Sequence, residues 1–182
     1  MTSRLYTLGH STRTLEEFIR LLQAYQITHL VDVRTIPRSR HNPQFNKDTL
    51  PGELEKVGVK YTHLPELGGL RKPQPDSPNT GWRNQSFQAF ADHMNTQSFK
   101  KGLNHLIQLA SQDTLAIMCA EAVPWRCHRS LIADALVVRG LEVEDILSPR
   151  SSQTHKLTEF ARVEGLKITY PLESNSGDPR GL

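Results

Sequence analysis

Leu115-Ala-Ile-Met-Cys119-Ala-Glu121-Ala-Val-Pro124-Trp125-Arg126-Cys127-His128-Arg129-Ser-Leu-Ile-Ala-Asp-Ala-Leu-Val-Val138 runs from an apolar segment, through a turn crowded with reactive side chains, into a helical pattern. A strand feeding a helix this directly is half of a βα unit. In open α/β sheets, ligands bind beyond the carboxyl ends of the strands. The stretch therefore predicts an α/β fold and marks the edge where chemistry would sit.

The same alternation extends in both directions. Leu5–Leu8 predicts a first strand, ended by Gly9-His10-Ser11. Thr14 and Glu17 form a capping-box pattern for a helix through Tyr25, with Leu15, Phe18, Ile19 and Leu22 on one face. His29–Val33 is apolar enough for a central parallel strand. A polar loop, Thr35–Asn46, precedes a short helix over Leu50–Val57, closed by Gly58, and a third strand over Val59–Leu64. Pro65–Gln85 is the longest irregular segment, of the length expected for a functional lid or a mobile loop. Amphipathic runs at Phe87–Met94 and Phe99–Ala110 lead to the quoted stretch. Beyond it, Leu141–Leu147 predicts a fifth strand, Thr154–Val163 a helix and Lys167–Tyr170 a last strand.

The expectation is a single α/β domain over residues 1–172. Its mostly parallel sheet of five or six strands carries flanking helices in a Rossmann-like or flavodoxin-like three-layer arrangement. Residues 173–182 form a polar tail expected to be disordered.

The chain has 182 residues, room for one well-buried core. No apolar run approaches the roughly 20 residues of a membrane span, and the first residues lack a signal-peptide core. A cytoplasmic protein is expected. Two cysteines, eight positions apart, make no disulfide framework. A net charge of +3 does not by itself indicate nucleic acid.

If the sheet is parallel, the strand ends bring His10 and Ser11, then Arg34, Arg38 and Arg40, then Gly68-Gly69, then the Cys119–Arg129 turn into one cleft. Thr7-Leu-Gly-His-Ser11, Val31-Asp-Val-Arg34 with Pro37-x-Ser-Arg40, Leu67-Gly-Gly69 and Cys119-x-Glu-x-x-Pro-x-x-Cys-His-Arg129 resemble the motifs of the family called domain of unknown function 488. The resemblance runs from Leu5 to about Tyr170. It implies a compact α/β domain and leaves the activity open.

Arg129 and His128 stand at a predicted helix N-terminus, where backbone N–H groups favour an anion. Arg34, Arg38 and Arg126 could add contacts to phosphate oxygens. The alternative is that Arg34 or Arg129 pairs with Asp32 or Glu121 and only fixes the loops. Cys119, near a helix start and arginines, is a candidate nucleophile. Phosphatase-like and rhodanese-like loops, however, place their arginine six positions on; here Arg126 is seven on and the turn has no glycine. A cysteine at a strand end can equally be packing, and Cys127 reads as buried structure. Cys119, Cys127, His128 and His10 match no standard zinc spacing, so no metal site is expected, and no motif names a cofactor.

His10 and Glu121 are candidates for proton transfer or, alternatively, for a hydrogen bond between loops. Trp125 beside Arg126, like Trp82 beside Arg83, could stack on a base or cover a core edge. Three readings follow. One is an enzyme on a phosphorylated, nucleotide or nucleic-acid substrate, with His10, Glu121 and Cys119 catalytic. In it, Ser11, Arg34, Arg38, Arg40, Trp125, Cys127, His128 and Arg129 bind substrate. The others are a non-catalytic nucleic-acid-binding module and a scaffold domain without chemistry.

Overall fold

In the computed structural model, which describes residues 4–172, the quoted stretch forms β4 (Leu115–Cys119), a one-turn 3₁₀ segment at Pro124–Arg126 and α5 (Arg129–Val138). Every β4 residue is buried, and its side chains alternate between two cores. Leu115, Ile117 and Cys119 join one core; Ala116 and Met118 join the other. That division follows from the period-two geometry of a strand and requires helices on both sheet faces.

The remaining strands are β1 (Arg4–Gly9), β2 (His29–Asp32), β3 (Lys60–His63), β5 (Glu142–Ser148) and β6 (Ser151–Thr154). They lie in the order β3-β2-β4-β1-β5-β6, with only β6 antiparallel. The helices α1 (Leu15–Ala24) and α2 (Leu50–Glu55) supply one face through Phe18, Leu22 and Leu54. On the other face, α3 (Gln85–His93), α4 (Gln97–Ala110) and α5 contribute Phe90, Leu103 and Leu136. The expected three-layer α/β architecture with a mostly parallel sheet is what the chain adopts. The Thr14–Glu17 capping box at α1 is present in full.

Strand order decides where a cleft opens. The β1-α1-β2 connection crosses one face, and β4-α5-β5 crosses the other, so the chain leaves β1 and β4 in opposite directions. Such a divergence between neighbouring parallel strands leaves a crevice at their carboxyl ends. Gly9 and Cys119 are register partners at that point.

One expectation near the C-terminus is corrected. Thr154–Val163 is not helical; Thr154 ends β6 and the following residues are irregular up to β7 (Arg162–Glu164). Buried Asp134 of α5 captures the segment, accepting from His155 Nε2 (2.7 Å), the Thr158 amide (3.1 Å) and the Thr158 hydroxyl (2.7 Å). Those bonds replace the ladder a helix would need. The last strand, β8 (Lys167–Thr169), pairs with β7 in a separate hairpin through a turn that opens on Gly165 at φ +64°, and does not join the main sheet.

The long Pro65–Gln85 segment is anchored. Asp92 accepts from Ser77 (2.5 Å) and Asn79 (2.7 Å), and Asn79 accepts from the Tyr170 amide (2.8 Å). The tail expected to be disordered lies outside the described residues. No helix among the described residues is long and apolar enough to cross a membrane.

Candidate functional site

The crevice between β1 and β4 widens into a cleft of about 540 Å³. Of the expected site residues, His10, Arg34, Arg38, Cys119, Glu121, Cys127 and His128 line it, with Arg126 beside them. Ser11, Arg40, Trp125 and Arg129 do not. Sequence reasoning missed Asn84, Ser86 and Phe87, which the start of α3 brings to the cleft. Asn84 is readable as an N-cap, its Oδ1 accepting from the Ser86 (2.8 Å) and Phe87 (3.3 Å) amides. A cap carries no chemical motif that would place it in a cleft.

Cys119 lies at the cleft floor with only 2% of its surface exposed. Arg129 Nη1 donates to its sulfur at 2.7 Å, and the Cys127 thiol donates to it at 2.6 Å. Burial alone would push the Cys119 thiol up. The Cys127 hydrogen bond and the Arg129 charge outweigh it and bring the thiol down to about 7. Cys127 moves the opposite way, well above its ordinary value, because it donates to Cys119 and is buried. One thiol of the pair is thus disposed to ionise while the other keeps its proton.

Arg129, expected to hold an anion, is fully buried and directed inward. Besides Cys119, its guanidinium donates to the Glu121 carbonyl, to the Ala122 carbonyl (3.0 Å) and to Thr7 Oγ1 (3.2 Å). Thr7 in turn donates to Asp145 at 2.5 Å, adding a carboxylate behind the arginine. Its role in the structure is to clamp the 119–122 backbone and to present positive charge to the thiol.

Arg34 is also engaged. Its Nε and Nη2 grip buried Asp32 at 2.9 and 2.7 Å, and Nη2 also donates to the Phe45 carbonyl (2.6 Å). Tyr61 Oη donates to the same carboxylate at 2.5 Å. This pairing is the loop-fixing alternative read from the sequence. The cations left exposed at the cleft are Arg38 and Arg126.

His10 stacks on Phe45 with ring centroids 4.4 Å apart. Its Nδ1–H donates to the Ser11 carbonyl (2.8 Å), so Nε2 accepts from Arg34 Nη1 (3.3 Å). Burial, aided by Arg34, lowers the imidazole to about 4. A backbone carbonyl, not Glu121, sets its tautomer, and its lone pair is already occupied. Glu121 is exposed on the wall, its carboxylate accepting from the Val123 amide at 3.1 Å. His128 Nε2–H donates to the Val33 carbonyl (2.8 Å), leaving Nδ1 3.5 Å from Cys127 Sγ. Burial lowers this imidazole to about 4 as well.

These two histidines give a pH signature. From pH 6.5 downward, an unfolded chain takes up protons at both imidazoles while the folded chain does not until about pH 4. Stability must therefore fall as pH falls through that window, by at most about 1.4 kcal/mol per unit per histidine. His155, raised to about 9 by Asp134 and Asp145 against the cost of burial, gives the opposite limb: its stabilisation is complete below pH 6.5 and is lost as pH rises through about 9. Urea unfolding should show stability rising from pH 5 to 6.5, and His128→Gln should flatten that acid limb; above pH 7 the ionisation of Cys119 offsets the loss at His155, so no steep alkaline fall is expected up to about 8.5. A profile still rising from 6.5 to 5 contradicts the burial of neutral histidines.

Two further residues answer questions raised by the sequence. Trp82 packs among Phe87, Phe160 and Tyr170, with ring centroids 4.8 to 5.4 Å away, and so covers a core edge. Trp125 is 64% exposed and lines a separate hollow with Ser130 and His155. No group of three or more His, Cys, Asp or Glu among the described residues is arranged to hold a metal ion.

The fold and cleft define an α/β protein with a buried, arginine-paired thiol at its topological switch point. Residues 14–136 match the family described as domain of unknown function DUF488, and the chain belongs to that family. The match spans the second, third and fourth motifs; Thr7–Ser11 precedes it. No curated protein and no solved structure matches the chain.

Proposed function

We propose that the protein is a cysteine-dependent enzyme in which the Cys119 thiolate attacks an electrophilic centre on a small substrate held in the cleft. The observation that carries this reading is the 2.7 Å contact from Arg129 to Cys119 Sγ at the cleft floor. A buried arginine aimed at a sulfur stabilises the thiolate, which is the nucleophilic form. Arg38 and Arg126, exposed on the cleft wall, suit an anionic group on the substrate, such as the phosphate of a phosphorylated metabolite or nucleotide.

A phosphate seated in the Cys119–Arg129 turn itself is disfavoured. The Val123, Arg126 and Cys127 amides are spent within the turn, on Glu121, Val123 and Pro124 oxygens, and Arg129 is fully committed. The nucleic-acid reading keeps Trp125 beside Arg126 but loses Arg34 and Arg129 to internal pairs.

Protection of Cys119 from iodoacetamide tests both halves of the proposal. Labelling at pH 7 should fall on Cys119 and vanish in Cys119→Ser. Among inorganic phosphate, sugar phosphates and mononucleotides, at least one should slow it, and Arg38→Glu with Arg126→Glu should weaken that protection about tenfold, the loss of roughly 1.4 kcal/mol. Unchanged labelling in Cys119→Ser removes the nucleophile. Labelling of Cys119 that no phosphate compound slows removes the anion at the mouth.

A further inference from the structure

We propose that Cys119 and Cys127 are a reversible dithiol–disulfide couple, oxidised by a hydroperoxide at Cys119 and closed by Cys127. The inference rests on the reading of Cys119 as a nucleophile and names an oxidant class and a redox state for the same site. Three observations support it. The two sulfurs are 2.6 Å apart, against about 2.05 Å for the covalent bond. Both line the cleft, so a small oxidant entering it meets the pair. And the roles are divided, because Arg129 bonds to Cys119 whereas Cys127 has His128 Nδ1 3.5 Å from its sulfur.

The chemistry balances without a metal or cofactor. The Cys119 thiolate attacks the terminal oxygen of the hydroperoxide; the O–O bond breaks, sulfenic acid forms, and the departing alkoxide takes a proton from water to become an alcohol. The Cys127 sulfur then attacks Cys119. The S–S bond forms, the S–O bond breaks, and the hydroxide leaves with the Cys127 proton as water. Two electrons pass from the dithiol to the peroxide. Two equivalents of a low-molecular-weight thiol return them, leaving as their own disulfide.

Arg129 also shapes the return step. Oxidation removes the thiolate that faces a fully buried guanidinium, so the reduced form is the one the surroundings favour. The disulfide should therefore be reduced readily. While it persists, Cys119 has no thiolate to offer a substrate.

The test is the mass of the intact purified protein after equimolar hydrogen peroxide, with free thiols then alkylated under denaturing conditions. The expected product has lost two hydrogens, takes up no alkylating agent and is restored by reduced glutathione at low millimolar concentration. Cys127→Ser should instead collect one or more oxygens on Cys119. Wild-type protein that gains two or three oxygens on Cys119 while Cys127 remains alkylatable overturns the couple. Should Cys127→Ser fail to fold, the wild-type masses decide alone. If peroxide leaves both thiols untouched while native Cys119 still alkylates at pH 7, the couple falls and the nucleophile stands; if Cys119 resists both reagents, the two readings fall together.

Discussion

Arg129→Lys should raise the pH midpoint of Cys119 alkylation from about 7 to above 8 and lower the free energy of unfolding by roughly 2–4 kcal/mol. Lysine keeps a charge but presents one compact ammonium where the guanidinium fork reaches Cys119, the Glu121 and Ala122 carbonyls and Thr7 together. Some of those groups must go unpaired, and several are buried. Arg129→Met separates charge from packing. With the stem kept and the cation removed, only the Cys127 hydrogen bond is left to oppose burial at Cys119, and the midpoint should rise further than in Arg129→Lys. A variant with an unchanged midpoint would show that Arg129 serves only to hold the loop. Chemical denaturation and alkylation rates on the same sample read the two effects separately.

Gly9→Ala is expected to be as damaging, from the other side of the crevice. Gly9 ends β1 opposite Cys119. A Cβ there would overlap the Glu121 carbonyl group and lie 2.8 Å from Ala122 Cα, all of it backbone. Nothing flexible can yield, so the 120–122 turn must move. Moving it breaks the Arg129 contacts to Glu121 and Ala122 and the bonds that His10 and Ser11 amides make to the Cys119 and Ala120 carbonyls, both 2.9 Å. A loss of about 3 kcal/mol or more is expected, together with loss of alkylation at pH 7. Near-wild-type stability and reactivity would mean that the turn does not pack on β1 as described.

The family motifs thus have distinct physical jobs. The glycine of Thr7–Ser11 lets the cysteine turn approach, and the threonine of the same motif holds Arg129 from behind. Gly69 of Leu67–Gly69 does the same for His128, because a Cβ would lie 2.7 Å from its Nδ1. Arg34 closes on Asp32 and the Phe45 carbonyl, fixing the loop that carries Arg38 to the cleft. Most of these side chains position others, and Cys119 is the one to which they converge.

Much of this was legible in the residues. Apolar strands of four to seven residues, a capping box at Thr14 and turn glycines after helices are local signals, and each gave the correct element. The inward direction of Arg129 was also written in the helix period: it shares a face with Ile132 and Leu136, both buried. Its charge alone left two readings open, an anion site or an internal pair that fixes the loops. The Thr154–Val163 segment was not legible, because Leu157, Phe160 and Ala161 fit helical spacing while the capture by Asp134 comes from twenty residues away or more. The surroundings of His10 were hidden for a similar reason. Burial, opposed by the bond to the Ser11 carbonyl and aided by Arg34, lowers its imidazole, and only the folded chain assembles that neighbourhood.

The central claim is that Cys119 ionises near neutrality because Arg129 and Cys127 outweigh its burial. The most direct measurement is the rate of iodoacetamide labelling of Cys119 from pH 5 to 10 in the native protein, read by peptide mass. A single rise with a midpoint near 7 is expected, with Cys127 unlabelled throughout. A midpoint at or above the ordinary cysteine value of about 8.5, or a Cys119 that reacts only once the chain unfolds, would contradict it.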